Sequence, residues 1–201
     1  MAQLGLFAVR TPLLDGERGT VTYQPDVVPI ERADIWFEHL KGGIDWHAQR
    51  RVMYEREVDV PRLTAHFRLA DFDGEAVPGI DQSAAGVIRA AAGLVRDVVG
   101  VPFNSIGLNF YRDGSDSVAP HSDRLGDLVA GCPIALLSLG DMRRMLIRSK
   151  RPGEAAVPID LEAGSLLVMS HSIQLHYTHG IAKTRAAVGP RISLAFRMRP
   201  E

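Results

Sequence analysis

A chain of 201 residues and 22.0 kDa, 46% apolar and 23% charged, has the make-up of one globular domain with a proper core. Its formal charge of -1 excludes the global basic field that many nucleic-acid binders carry, so any nucleic-acid contact has to be local. The single cysteine, Cys132, excludes an intrachain disulfide and suits a reducing compartment. No run reaches the roughly 18 apolar residues of a membrane span, and residues 1–10 lack the basic start and long apolar stretch of a signal peptide. A cytoplasmic protein without membrane contact is expected.

In chain order, residues 1–30 read as irregular apart from a short strand at Val21-Thr22-Tyr23. Glu31 to Lys41 has helical spacing, with Ile35, Trp36 and Leu40 on one side and Gly42-Gly43 as a stop. Residues 45–72 set Trp46, Met53, Tyr54, His66 and Phe67 among Arg50, Arg51, Arg56, Arg62 and Arg68, with Pro61 breaking the run. The pattern fits either two strands with solvated arginines or a surface that stacks on a base while gripping its phosphate. Ser83 to Val99 is a second helix, capped by Asp81 or Ser83 and ended by Gly100 before Pro102.

From Phe103 onward the pattern becomes short β-prone runs: 106–111, 134–139, 144–148, 156–161, 165–169, 176–181 and 192–197. Turn residues separate them, and no helical spacing intervenes. Such a succession predicts a sandwich or jelly roll. The expected fold is α+β and mainly β: one unit over 1–201, with about 1–102 supplying an N-terminal extension and supporting helices, and about 103–201 the β core.

The chemistry centres on Pro120-His121-Ser122-Asp123. In an extended segment His121 and Asp123 point the same way, and an imidazole and a carboxylate on one face are two-thirds of a facial triad for non-haem Fe(II). A third ligand would come from His171, His176 or His179. His176 and His179 have opposite parity, so one regular strand can turn only one of them inward; the spacing leaves the choice open. In Arg191 to Arg197, alternation places Arg191, Ser193, Ala195 and Arg197 on one face, where an Arg fork is suited to a carboxylate. Asn109 and Tyr111 share a face and can donate to the same anion. A second basic cluster, Arg143, Arg144, Arg148, Lys150 and Arg151, fits either a nucleic-acid backbone or a solvated hairpin.

Taken in order, Asn109-x-Tyr111, His121-x-Asp123, Pro133 to Gly140, Gly164 to Met169, His179-Gly180-Ile181 and Arg191-x-Ser193-x-x-Phe196-Arg197 resemble the AlkB family of Fe(II)- and 2-oxoglutarate-dependent dioxygenases, which repair alkylated nucleobases. The resemblance is dense over the C-terminal half and loose over 45–70. It implies a double-stranded β-helix, that is, a jelly-roll core buttressed by the N-terminal helices, with an N-terminal nucleotide-recognition lid. It implies His121, Asp123 and His179 as iron ligands, leaving His171 and His176 aside. It further implies that Arg191, helped by Tyr111, pairs with the distal carboxylate of 2-oxoglutarate, and that Asn109, Ser193 and Arg197 also contact this co-substrate.

The reaction implied consumes 2-oxoglutarate and O2, hydroxylates a carbon attached to a base nitrogen, and releases formaldehyde from a methyl adduct in DNA or RNA. Residues 50–68 correspond loosely to the lid, with Phe67 or His66 stacking on the base opposite His121 and Arg62 meeting a phosphate. Arg124 and Leu125 follow the His-x-Asp, and Leu125 stands where several family members carry an acidic residue that contacts the base edge. An apolar Leu125 would favour etheno over methyl adducts. The alternative is a hydroxylase of the same fold acting on a small molecule or protein side chain; a non-catalytic metal-binding jelly roll is the further rival, against which a carboxylate clamp argues. A monomer is expected.

Overall fold

The computed structural model describes residues 10–53, 56–74 and 76–200. Tyr54 and residues 1–9 lie outside the described residues, as do the side chains of 49–59, among them Arg50, Arg51, Met53 and Arg56. In chain order the elements are β1 (Thr11–Leu14), β2 (Val21–Gln24), α1 (Ile30–Gly43), β3 (His47–Met53), β4 (Arg56–Arg68), α2 (Gln82–Val99), β5 (Ser105–Tyr111), β6 (Val118–His121), β7 (Ile134–Gly140), β8 (Arg143–Ser149), β9 (Val157–Leu161), β10 (Leu166–Met169), α3 (Ile173–His176), β11 (Tyr177–Ile181) and β12 (Arg191–Arg197). No helix among the described residues is long and apolar enough to cross a membrane.

The strands form two antiparallel sheets, a double-stranded β-helix. The larger has the order β1-β2-β10-β7-β12-β5-β4-β3 and the smaller β6-β11-β8-β9. Strand alternation sorts the side chains of the larger sheet into two apolar layers. Ile192, Leu194 and Phe196 of β12, with Ile106 and Leu108 of β5 and Leu137 and Leu139 of β7, pack against Trp36, Phe37, Leu40, Ile88 and Val95 of the two long helices. Ala195, Tyr111, Leu136, Leu167 and Met169 face Met145, Ile147, Ile159, Leu161 and Ile181 of the smaller sheet. Each fully buried Leu, Ile or Phe contributes about 1.5–3 kcal/mol by leaving water, and both layers are continuous.

α2 begins where Asp81 accepts the Ala84 N–H at 2.8 Å, a cap contributing about 1 kcal/mol. It ends at Gly100, whose φ of 76° allows its N–H to reach the Arg96 carbonyl. α1 buries Ala33, Trp36, Phe37 and Leu40 against the larger sheet and runs through Gly42-Gly43. Ile35, expected on the packed side, is 57% exposed: the stripe is set by 33, 36, 37 and 40, and 35 falls a quarter-turn outside it.

Pro61 does not break β4. Ala48 pairs with Leu63 and Arg50 with Asp59, so Val60, Pro61 and Arg62 form a bulge opposite one residue of β3. A bulge tolerates a proline's missing N–H and re-aims the neighbouring side chain, here Arg62.

Candidate active site

The site lies between the two sheets, in a cavity of about 790 Å³. β6 and β11 pair so that His121 and His179 are direct cross-strand neighbours, their ring centroids 4.4 Å apart. That approach depends on Gly180. A Cβ there would stand 2.9 Å from the Pro120 nitrogen and the Val118 oxygen, closer than real Cβ contacts come. Asp123 follows β6, with Oδ1 3.9 Å from His121 Nε2. One donor atom from each of His121, Asp123 and His179 lies within 4.8 Å of the others. His171 and His176 are not part of this cluster. His176 closes the one-turn helix α3, which takes the place of the first residue of the expected strand.

The protonation states suit a metal. His121 Nδ1 lies 2.9 Å from the Ala119 carbonyl and can donate only as N–H, which leaves the Nε2 lone pair for an ion. His179 is 5% exposed, and burial first, then His121, pushes its imidazole down to about 4, so it is neutral at pH 7. Its Nδ1 is buried without a hydrogen-bond partner among the described residues. Burial pushes the Asp123 carboxyl up, but the Arg197 guanidinium and the two imidazoles outweigh it and hold the group below its ordinary value. Two imidazoles and a carboxylate are the donor set of a facial 2-His-1-carboxylate site.

A second feature opens beside it. Arg191 is fully buried, and its Nη2 donates to Ser138 Oγ at 2.9 Å while Nε and Nη1 have no partner among the described residues. Burial lowers its pKa to about 10, which still leaves it cationic at pH 7. It stacks over Tyr111 with Cζ 5.3 Å from the ring centre, and Arg143 approaches the same ring at 5.7 Å. A buried, under-bonded guanidinium is costly unless an anion meets it. Asn109 and Ser193 line the cavity next to it, joined by a 3.4 Å bond from Asn109 Nδ2 to Ser193 Oγ. Arg197 lies at the other end and donates from Nε to Asp123 Oδ2 at 2.6 Å.

The cavity is also lined by Arg62, His66, Arg124, Asp127 and Arg199, none of them buried. The His66 residue is exposed, but its ring lies over Gly107, where a Cβ would approach it at 3.2 Å. Partial burial, then Arg197, Arg199 and Arg62, hold His66 below its ordinary pKa, so it is a neutral ring among cations.

Several expectations require correction. Phe67 pairs with Ile106, not with the cavity-facing Gly107, and packs edge-on against Phe72 in the helix-facing layer. It cannot stack on a base in the cavity. Leu125 starts a 3-10 turn, Leu125–Asp127, and does not line the cavity; Asp127, at the end of that turn, does. Arg62 donates to Asn109 Oδ1 at 2.7 Å and to the Ser117 carbonyl at 3.3 Å, so these nitrogens brace the wall. The basic cluster also disperses. Arg143 is 3% exposed and serves the carbonyls of Asp113, Asp116 and Ala182, Arg144 pairs with Asp160, and Lys150 caps the Gln174 carbonyl. Arg148 alone of the five reaches the cavity rim. Asp127 and Gln174, whose Oε1 accepts the Asp123 N–H, had no signal in the sequence, because each acts through a turn too short to show periodicity.

Comparison with known proteins agrees with this geometry. The model of the 2OG-Fe(II) oxygenase superfamily matches residues 20–197. Human DNA oxidative demethylase ALKBH2 is 36% identical over 94 residues, which span 43% of this chain and 36% of ALKBH2. Bovine alpha-ketoglutarate-dependent dioxygenase alkB homolog 3 is 31% identical over 189 residues, 86% of this chain and 64% of that protein. The chain thus spans about a third of the first relative and just under two-thirds of the second. Among solved structures, OsALKBH1 superposes with a TM-score of 0.56 at 15% identity, covering 92% of this chain and 100% of that one. A Pseudomonas putida prolyl-4-hydroxylase gives 0.56 at 14% identity over 90% and 93%, which speaks to the fold alone. The chain belongs to the 2OG-Fe(II) oxygenase superfamily, and the curated relatives it matches are AlkB homologues.

Proposed function

We propose that this chain removes alkyl groups from nucleobases in DNA, and in RNA, by oxidation. One observation carries the reading: His121, Asp123 and His179 line one cavity of about 790 Å³ together with Tyr111, over which the under-bonded Arg191 guanidinium stacks. The names of the relatives, a DNA oxidative demethylase among them, support the substrate class.

In this reading His121, Asp123 and His179 hold Fe(II), which with 2-oxoglutarate and O2 supplies the oxidising power to hydroxylate a C–H bond, succinate and CO2 being the by-products. The chain's own residues align the reactants and exclude water. Arg191, over Tyr111, receives the distal carboxylate of 2-oxoglutarate in a fully buried position, where a charge-assisted bond is strongest. Asn109, Ser193 and Arg197 bound the rest of that co-substrate. Arg197 also fixes the direction of the Asp123 carboxylate.

The base enters from the open side and stacks on the neutral His66 ring, across from His121. Asp127 accepts hydrogen bonds from the base edge and favours cationic N-methyl adducts by charge. Arg124 and Arg148 at the rim meet the backbone. Cys132 as the single thiol suits the cytoplasm, and we take the active form as a monomer.

The test is a panel of oligonucleotides carrying N-methyl and etheno adducts, incubated with Fe(II), 2-oxoglutarate and air and read by mass spectrometry. Restored base with stoichiometric succinate is expected. Succinate without any change of base would instead favour hydroxylation of a small molecule or protein side chain.

A further inference from the structure

The ladder between β6 and β11 ends at the His121–His179 pair, short of Asp123. Beyond it, side chains take over the pairing. Ser122 Oγ donates to the Tyr177 carbonyl at 2.9 Å, and the Asp123 N–H donates to Gln174 Oε1 at 2.8 Å. His121, Ser122 and Asp123 are therefore each tied to a different residue of the segment from Gln174 to His179.

Gln174 is 2% exposed, and its Nε2 is buried without a partner among the described residues. A buried donor left unpaired costs about 1–3 kcal/mol, so an apolar residue of this size would serve packing better. The amide orientation is fixed all the same, because reversing it would set Nε2 against the Asp123 N–H, donor against donor. What the position requires is the carbonyl oxygen. Arg197, from β12, restrains the carboxylate of Asp123; Gln174 restrains its backbone.

We propose that Gln174 is a positioning residue of the metal centre, setting the distance of Asp123 from His179 before any ion arrives. Helix α3 and the start of β11 then act as one cassette that carries one ligand, His179, and the brace for another. The inference rests on the metal-site reading above.

The experiment titrates metal-free protein with Co(II), following the visible d–d absorption, and records melting temperature without metal. Gln174→Leu should weaken Co(II) binding roughly 10–100-fold, the range found when an outer-sphere partner of a ligand is lost. It should alter the spectrum at saturation and leave the metal-free melting temperature near wild type. Gln174→Glu keeps an acceptor oxygen in place and should recover most of the affinity. If Gln174→Leu does not fold, Gln174→Asn, one methylene short of Asp123, replaces it with the same expected loss. Wild-type affinity and spectrum in the Leu or Asn variant, or a Glu variant as weak as they are, overturns the proposal. Wild-type protein that takes up no Co(II) overturns the metal-site reading and the inference with it.

Discussion

Arg197 and Asp123 are joined by a 2.6 Å bond from Nε to Oδ2, with both side chains largely buried. The arginine keeps the carboxylate anionic below the ordinary range, so the ligand is charged before metal binds. Arg197→Met should reduce metal affinity roughly 10–100-fold. It should also move the onset of metal uptake to higher pH, because the carboxyl, losing its cation, then holds its proton longer. Co(II) titrations from pH 4 to 8 would show it; an unchanged onset would refute the electrostatic role.

Gly180→Ala should disturb the site through backbone alone. The added Cβ meets backbone atoms of Val118 and Pro120 at 2.9–3.0 Å, none of which can swing aside. Overpacking of this kind costs about 1–3 kcal/mol, which in a chain of this size lowers the melting temperature by roughly 2–12 °C. Calorimetry measures the first effect and metal titration the separation of His121 from His179. An alanine variant as stable and metal-competent as wild type would count against the close approach.

Arg191→Met should separate co-substrate binding from metal binding. Loss of a buried charge-assisted clamp is worth about 3 kcal/mol, or roughly 100-fold in 2-oxoglutarate affinity. Metal uptake should stay within error of wild type. Succinate formation measured against 2-oxoglutarate concentration gives the first number; metal loss in this variant would show that Arg191 supports the fold instead.

Selectivity should follow Asp127 and not Leu125. Asp127→Asn is expected to lower turnover of cationic N-methyl adducts relative to neutral etheno adducts by roughly 10-fold, the scale of one lost charged contact. Leu125→Asp, outside the cavity, should leave that ratio unchanged. Competition assays on mixed oligonucleotides decide between them.

Asp116 supplies a pH-dependent share of stability. It is 3% exposed and accepts both the backbone and guanidinium N–H groups of Arg112; burial pushes its carboxyl up, and these bonds bring it below its ordinary value. A depressed carboxylate contributes stability that is present above the unfolded value of about 4 and is lost as pH falls through the folded value. Asp116→Asn should cost about 1–2 kcal/mol at pH 7, on the low side because Arg112 is half exposed. The gap between the two proteins in urea melts should close as pH drops below 4.

The Arg191 to Arg197 face and the two long helices were legible because each rests on periodicity within one element, while the ligand pair was legible as a short motif although Asp123 lies just past the end of β6. Arg191 and Ser193 share a face whatever strand lies beside them. Choosing His66 over Phe67 was not legible, since it depends on which residue of β4 meets Gly107. The charge run from Arg143 to Arg151 looked like a surface; in fact Arg143 is drawn inside by three carbonyls from elsewhere in the chain. The N-terminal strand β1 and helix α3 are four residues each, too short for any pattern to repeat.

β12 divides its side chains between two faces: Ile192, Leu194 and Phe196 pack against the helices, while Ser193 and Arg197 line the cavity and Arg191 is buried over Tyr111. Loss or gain of one residue there would exchange the two sets at a stroke, driving guanidinium into oil and leaving the pocket greasy. A one-residue insertion or deletion is therefore expected to be tolerated in the exposed connection at residues 151–154 and to destroy the site when made in this strand.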